Sequence, residues 1–471
     1  MRMEYYFQDQ LRWSFGFENP NKAAALIASL LPLWWALAQA AWALRRGFIK
    51  WMAVAVGGAV LCAGWWLLFM TFSRGGIVGA AAGFLYVGWR SRAALAGGGA
   101  WMRKWVALLL VLLVAGLFGA SNAALRSSQG LGTGDGSVTN RFELWQGGLR
   151  MIAQIPQGVG TRNSGSAYMQ WFQPLESTPR YRTLVNSYLT FAAEQGIGVF
   201  ALAVFGVVLL WRWPTSSASL TASAKEQMEG LNIGARGSLI AFAVAGFFST
   251  TMEEPALWLA PAFCGAVMVI GIWRSGIRFG LLLAAGRALV ASAAICAGMF
   301  AAGAILSWRE PLMVRLHQGE VALEPRFAAA RRCLVWVDEG VLGSDYGKLM
   351  RELALKQGAN VRVALEPDPK AHRPGETLIV TGDTVSRLDS ASAAGALVLI
   401  APSRLEERQA AEILRGVRKG MLFTPSFDED GRSAAWNKAA AEAGVPVRVI
   451  DGVGSQVDSV WSETVPKLGL N

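Results

Sequence analysis

The sequence predicts a polytopic α-helical membrane domain followed by a soluble, doubly wound α/β domain. Three observations carry this. The chain of 471 residues is 53% hydrophobic with only 16% charged residues, too apolar for an ordinary soluble protein of this length. Up to about Trp308 the apolar residues gather in repeated runs, near the ~20 residues that cross ~30 Å of hydrocarbon. Beyond Trp308 such runs stop and charge density rises. Short β-branched runs then alternate with amphipathic helical patterns, the signature of a layered α/β fold.

Eight spans are predicted, over 23–44, 51–72, 76–90, 105–121, 187–211, 238–251, 256–273 and 281–307. Basic residues follow alternate spans. Arg45, Arg46 and Lys50 follow the first, and Arg90, Arg92, Arg103 and Lys104 the third. Arg212, Lys225 and Arg236 follow the fifth, and Arg274 and Arg278 the seventh. The positive-inside rule places these connections in the cytoplasm. The N-terminus, a loop over 122–186 and the domain from 309 to 471 then face the outer side. The start, "MRMEYYFQDQLRW", lacks the charged-then-apolar pattern of a signal peptide.

Cysteine use excludes some chemistry. Cys62, Cys264 and Cys296 lie in apolar runs, and Cys333 stands alone in the soluble part, so that domain has no internal disulfide. The two histidines, His317 and His372, are far apart and no CxxC occurs. The chain therefore does not read as a zinc protein, and no cofactor is expected.

The 122–186 loop departs from the charge rule. It carries Arg126, Arg141, Arg150, Arg162, Arg180 and Arg182 and no lysine. Arginine presents a planar, permanently charged fork that grips phosphate or carboxylate at two points. The competing readings are solvated surface charges or an inverted topology. Within the loop, "TNRFELWQGGLRMIAQIP" predicts a short helix with Asn140 as N-cap, Glu143 three residues on, and Pro156 ending it. Phe142, Trp145, Leu149 and Ile152 recur at helical spacing. Next comes "PQGVGTRNSGSAYMQWFQP", a glycine-rich turn and a short aromatic helix, whose amides near Asn163 and Ser164 could meet an anion.

Other polar groups interrupt the apolar runs on the same predicted side. "TFSRGGIVG" puts Arg74 between the second and third spans, where it either binds a ligand or snorkels to headgroups. "TTMEEPALW" puts Glu253 and Glu254 in an outer turn. "LVNSYLTFAAEQGIG" opens the fifth span with Asn186 and Tyr188 and places Glu194 about two turns inside it. A carboxylate at that depth needs a bundle interior or a wet cavity. It would pair with an arginine, act as a base, or hold structure, with pairing weighted first. Together these residues predict an outward-facing electropositive site for a lipid-linked anion.

Four segments resemble the O-antigen ligase and polymerase superfamily, the Wzy/WaaL-type bacterial membrane glycosyltransferases. "FENPNKAAALIASLLP" is similar to its NPN span start and "TFSRGGIVG" to its SRGG segment. "NRFELWQGGLRMIAQIPQGVG" resembles its R…W…P-x-G-x-G stretch, and "LVNSYLTFAAEQGIG" its H-N-x-Y-L…E-x-G-x-x-G segment. The four occur in family order over about residues 17–210. The resemblance implies an enzyme of the bacterial inner membrane that takes a glycan from undecaprenyl diphosphate on the periplasmic face. It passes that glycan to a glycan or lipid acceptor, with no metal, no nucleotide sugar and no nucleic-acid partner. Arg74 and Arg141 match the family's phosphate arginines, Arg182 is a further candidate, and Asn186 matches the motif's asparagine. Arg162 and Tyr188 complete the expected substrate-binding set. Val185 stands where the family has a histidine. Proton removal would then fall to Glu194, Glu253 or Glu254, or diphosphate departure would carry the reaction. The alternative is a non-catalytic partner in lipid-linked-glycan binding, transport or assembly. The family also carries more spans ahead of NPN, so either a shortened form or a sequence missing its first spans is expected.

In the soluble part, "CLVWVDEG", "NVRVALEP", "TLIVTGD", "ALVLIAPS", "GMLFTPS" and "VPVRVID" predict strands. "DYGKLMRELALKQG", "LEERQAAEILRGVRKG" and "AAWNKAAAEAG" predict helices. This is a Rossmann-like, doubly wound order with Asp338, Asp383 and Ser403 at strand ends, where such folds bind ligands. No GxSxG elbow, P-loop or GxGxxG occurs. A binding or structural role is therefore expected over an independent enzyme.

Overall fold

The computed structural model describes residues 4–7, 10–42, 47–91, 136–174, 180–212, 222–251, 253–273, 281–317, 320–326, 331–336, 351, 354–355, 359–364, 377–381, 396–400, 406–415, 419–425 and 432–450. The predicted span at 105–121 lies outside the described residues, as do Arg126, Asp338, Asp383, Ser403 and most of the helix predicted from 345. The same holds for the orienting residues Arg45, Arg46, Arg92, Arg103, Lys104, Arg274 and Arg278.

The described part is mostly helical. An N-terminal hairpin, β1 (Glu4–Phe7) and β2 (Gln10–Trp13), precedes α1 (Pro20–Trp42), α2 (Phe48–Met70) and α3 (Arg74–Ser91). Then follow α4 (Gly136–Gln154), the short α5 (Ser164–Ala167), α6 (Ser187–Gln195), α7 (Ile197–Arg212), α8 (Ala222–Gly246), α9 (Leu259–Trp273) and α10 (Leu281–Trp308). By length and composition, Pro20–Ala38 and Ala284–Trp308 suffice to cross a membrane, and Ala55–Met70, Ile197–Arg212 and Pro255–Val269 are shorter apolar helices. Only 11% of the Ala284–Trp308 window is buried, and Leu289, Val290, Ile305 and Trp308 are exposed on it. Apolar surface left uncovered on that scale marks contact with something other than water.

The predicted elements need four corrections. The span expected at 187–211 is two helices, broken at Gly196. The span expected at 238–251 is the end of a helix that starts at Ala222. The span expected at 256–273 opens with one 3-10 turn, Pro255–Trp258, before α9. Finally, α4 begins at Gly136. Asn140 is therefore inside the helix rather than its cap, and Arg141 is past the first turn. Nothing in "GSVT" blocks a helix, so the cap signal at Asn140 was overrun.

Contacts divide the chain into two compact units. The first holds 1–145, 183–192 and 197–298; the second holds 146–182, 193–196 and 299–471. In the first unit, α1, α3 and α8 meet through small residues. A Cβ on Gly83 would stand 2.6 Å from the Gly237 carbonyl oxygen, and one on Gly237 would stand 3.0 Å from that of Gly83. On Gly79 it would stand 2.6 Å from the Ala241 oxygen. The glycine spacing thus lets two helix backbones touch, the packing that substitutes for large side chains where lipid offers no hydrophobic drive. Around it, Trp65 stacks between Phe69 and Phe84 at 5.9 and 5.7 Å, beside Ala24, Ala28 and Leu31 of α1.

The second unit contains an eight-stranded sheet of β3 (Leu312–His317), β4 (Glu320–Pro325), β5 (Arg331–Trp336), β6 (Ala359–Ala364), β7 (Thr377–Thr381), β8 (Ala396–Ile400), β9 (Lys419–Pro425) and β10 (Val447–Ile450). The spatial order is β10-β9-β8-β7-β5-β6-β4-β3. Strands β5 to β10 pair in parallel, and β4 joins β6 and β3 in antiparallel. The six segments expected as strands overlap β5 to β10. The β3–β4 hairpin lay outside the expected strands, although Leu312, Val314 and Leu316 alternate with Met313, Arg315 and His317 in the strand period. Among the described residues, α11 (Glu407–Arg415) and α12 (Arg432–Ala443) cover the sheet. Trp436, Ala439 and Ala440 of α12 and Ile413 and Leu414 of α11 bury Leu378, Val380, Leu399 and Leu422. The i, i+2 pair Leu378 and Val380 shows the strand period at work.

The glycine contact is testable. Gly83→Leu forces overpacking worth about 1–3 kcal/mol and should lower the thermal midpoint of the detergent-solubilised chain by several degrees. Gly58→Leu is the control, since a Cβ there meets nothing within 4 Å. Equal midpoints for both variants would contradict the close approach.

Candidate functional site

In the first unit, four helix ends and one strand are knotted by polar groups. Asn19 accepts a bond from the Asn21 amide at 2.9 Å and Pro20 is the first helical residue of α1, where its missing N–H costs nothing. The Asn21 side-chain oxygen accepts from the Arg12 guanidinium at 3.1 Å. Arg12 also donates from Nε to the Thr71 carbonyl at 3.0 Å and to the Phe72 carbonyl at 3.4 Å. One strand arginine thereby ties the NPN segment to the turn between α2 and α3. In that turn Phe72 adopts φ 50°, uncommon for a residue with a Cβ. Ser73 caps α3 by accepting from the Gly76 amide at 3.3 Å, and Arg74 is exposed in the first helical position. Lys22 lies 3.5 Å from Glu254 and 3.7 Å from Glu18.

The start of α6 is held in the same way. Asn186 is buried and is the N-cap: its side-chain oxygen accepts from the Tyr188 and Leu189 amides at 3.0 and 3.1 Å. Such a cap stabilises by about 1 kcal/mol. Ser187 donates to the Ser249 carbonyl at 2.7 Å and accepts from the Thr251 amide at 2.8 Å. Tyr188 donates to the Ala243 carbonyl at 2.6 Å, and Thr183 and Thr250 share a bond at 2.8 Å. Val185, ahead of the cap, has φ 50°. A β-branched residue in the left-handed region is strained by about 1–3 kcal/mol. The start of α6 is thus fastened to the turn after α8, a few residues before Glu253 and Glu254.

In the second unit the P-x-G-x-G and E-x-G segments form one clasp. The chain unwinds at Gly196 (φ 86°), freeing the last carbonyls of α6. Val159 donates its amide to the Ala193 carbonyl at 2.9 Å, and Gly160 donates to the Glu194 carbonyl at 3.1 Å. The fit requires glycine on both sides. A Cβ on Gly158 would lie 2.5 Å from the Glu194 oxygen, and one on Gly196 would lie 2.6 Å from that of Gln157. Gly158 and Gly160 both have φ 90°, a conformation glycine adopts freely. The Gln195 side chain adds a bond to Thr161 at 3.0 Å. The Glu194 carboxylate, 7% exposed, accepts from the Ser164 hydroxyl at 2.7 Å and from its amide at 3.4 Å. The anion that meets the Ser164 amide is therefore the chain's own, and the contacts on Glu194 are hydrogen bonds where an arginine was weighted first.

The expected site residues divide between the units. Arg74, Arg141, Asn186, Tyr188, Glu253 and Glu254 belong to the first; Arg162, Arg182 and Glu194 belong to the second. Within the first unit, Asn186 and Tyr188 join the knot around the turn after α8, Glu254 is held by Lys22, and Arg74 leaves the turn that Arg12 grips. Glu253 is exposed, and Arg141 is half-buried on α4. Within the second, Arg162 and Arg182 are exposed, and Arg162 lies in the clasp with φ 65°. Arg12 and Lys22 were missed, and Ser164, read only for its amide, also lends its hydroxyl to Glu194. Arg12 carried a signal, a lone charge between Leu11 and Trp13 of β2. Lys22, beside a span start, was readable only with its partner in view.

The clasp and the α6 cap both fall in one sequence segment. Residues 57–205 match the O-antigen ligase family. The ligase-family segment runs from within α2 to within α7. It takes in Arg74, Arg141, Arg162, Arg182, Val185, Asn186 and Glu194, and leaves out NPN, Arg12, both glutamates of the 253–254 turn and the whole sheet. No curated protein and no solved structure matches the chain.

Glu194 separates structure from chemistry. Glu194→Ala strips Ser164 of its acceptor and should cost about 1–3 kcal/mol, seen as a lowered midpoint in thermal unfolding of the full chain. Glu194→Gln keeps an acceptor oxygen and should stay close to wild type. A Glu194→Ala protein as stable as the wild type would refute the bond's importance.

Proposed function

We propose that the chain is a membrane-embedded glycosyltransferase of the O-antigen ligase or polymerase type, moving a glycan from undecaprenyl diphosphate to a glycan or lipid acceptor. The match over residues 57–205 carries this reading. It is placed in the bacterial inner membrane with eight spans, the 122–186 loop and the 309–471 region on the periplasmic side. The parallel strand order β6-β5-β7-β8-β9-β10 supports a doubly wound soluble domain there.

The reaction needs little from the protein. The acceptor hydroxyl oxygen attacks the anomeric carbon, and the bond from that carbon to the diphosphate oxygen breaks. The lipid diphosphate leaves with the electron pair. Arg74 and Arg141 are proposed to bind the diphosphate and hold the charge that gathers on it during departure. Within the second unit, Arg162 and Arg182 are proposed to meet anionic groups of the substrate. Asn186 and Tyr188 shape the mouth of α6. The hydroxyl proton passes to Glu253, the exposed member of its pair, or to the departing diphosphate. Glu254, engaged by Lys22, is assigned to orientation, and Glu194, engaged by Ser164, to holding the clasp. The second reading is a non-catalytic lipid-glycan partner, favoured by Val185 where the family has a histidine.

Purified protein with undecaprenyl-diphosphate-linked oligosaccharide and an acceptor tests this. Removing both charge-assisted contacts in Arg74→Ala/Arg141→Ala should lower transfer by roughly 100-fold or more, since each is worth ~1.5–3 kcal/mol. Transfer by the double variant at the wild-type rate would end the phosphate-site assignment. Donor binding by the wild type without any transfer would favour the second reading.

A further inference from the structure

Within the second unit, β3 is an edge strand among the described residues, where β4 is its one strand neighbour. An open edge of this kind presents unpaired amides and carbonyls that must be covered. Here two glutamines cover it. The Val314 amide donates to the Gln154 side-chain oxygen at 2.7 Å, and the Gln157 side chain donates to the Leu316 carbonyl at 2.8 Å. Val314 and Leu316 are two residues apart, so both present backbone to the same side of the strand. Gln154 ends α4 and Gln157 lies just past Pro156, and together they act as a two-residue substitute for a ninth strand.

Further bonds converge on the same stretch. The Gln154 side chain also donates to the Ser307 hydroxyl at 3.0 Å. Arg150 donates to the Phe172 carbonyl at 3.0 Å and pairs with Glu310. Arg326 donates to the Ser307 carbonyl at 2.9 Å. Arg351 donates to the Gln173 carbonyl at 2.5 Å. The Gly158–Gly160 clasp begins immediately after Gln157 and carries Arg162. Gly165, packed against the backbone of Tyr181 and Arg182, continues the platform.

We infer that Gln154 and Gln157 are positioning residues, through which the β3 edge of the C-terminal sheet fixes the clasp and the arginines it presents. This rests on the functional reading above and gives the sheet a task within that reaction. The glutamines touch no substrate. They set the register of 155–163 against a rigid strand, so their loss raises the cost of arranging Arg162 and Arg182 rather than slowing the chemical step.

Two measurements on the full-length protein decide it. The first is tryptic cleavage after Arg162. Gln157→Ala and Gln157→Glu both lose the N–H donor, and each should speed cleavage about fivefold, the equilibrium factor of one hydrogen bond. The second is transfer kinetics with undecaprenyl-diphosphate-linked oligosaccharide. The same variants should raise the donor KM about fivefold with kcat unchanged, and Gln154→Ala/Gln157→Ala should raise it further. Because Gln157 is exposed, its single variants keep the fold even where the double variant does not. Unchanged cleavage overturns the clamp. Faster cleavage with unchanged KM overturns its role in substrate positioning. A wild type that transfers nothing while the variants still cleave faster overturns the functional reading and leaves the clamp standing.

Discussion

Everything at the polar end of the ligase-family segment depends on how the break after Gln195 is sealed. A helix that stops leaves its last carbonyls with no partner in the helix, and a buried group left unpaired costs about 1–3 kcal/mol. Here the Val159 and Gly160 amides take the Ala193 and Glu194 carbonyls. The two backbones approach so closely that Gly158 and Gly196 tolerate no side chain. Glu194 adds a second layer, its buried carboxylate closing on Ser164. Two family motifs far apart in sequence are thereby one physical object, and a demand for backbone satisfaction explains their glycines.

A related economy runs through the first unit. Glycines on α3 and α8 let helices touch, and polar groups then fasten their ends. Arg12 binds the start of α1 to the turn that presents Arg74. Ser187 and Thr183 bind the start of α6 to the turn after α8. Local strain at Phe72 and Val185 is tolerated where such bonds surround it. Polar side chains thus gather on turns, and the rigidity comes from the helices beneath them.

Much of this was legible in the sequence, but unevenly. Apolar run length located α1, α2 and α10, and β-branched runs located β5 to β10, because both patterns are local properties of the sequence and need no partner in view. The match over 57–205 agrees with the resemblance read from motifs. What the sequence hid was partnership. Glu194 reads first as an ion-pair partner, then as a base or structural acceptor, and its bond to Ser164 is visible only in the fold. Asn186 reads as a motif residue, and its work as an N-cap is visible only in the fold. The break at Gly196 is invisible to hydropathy, since both halves are apolar. Arg12 lies outside the matched segment, and two of the three groups it binds are backbone carbonyls, which a sequence does not show.

The clasp is the claim on which the rest stands, and amide hydrogen exchange tests it most directly. In the solubilised full chain, the Val159 and Gly160 amides should be protected as strongly as the helical amides of α6, although both sit in a glycine-rich loop. Exchange of both at the rate of an open loop would contradict the account.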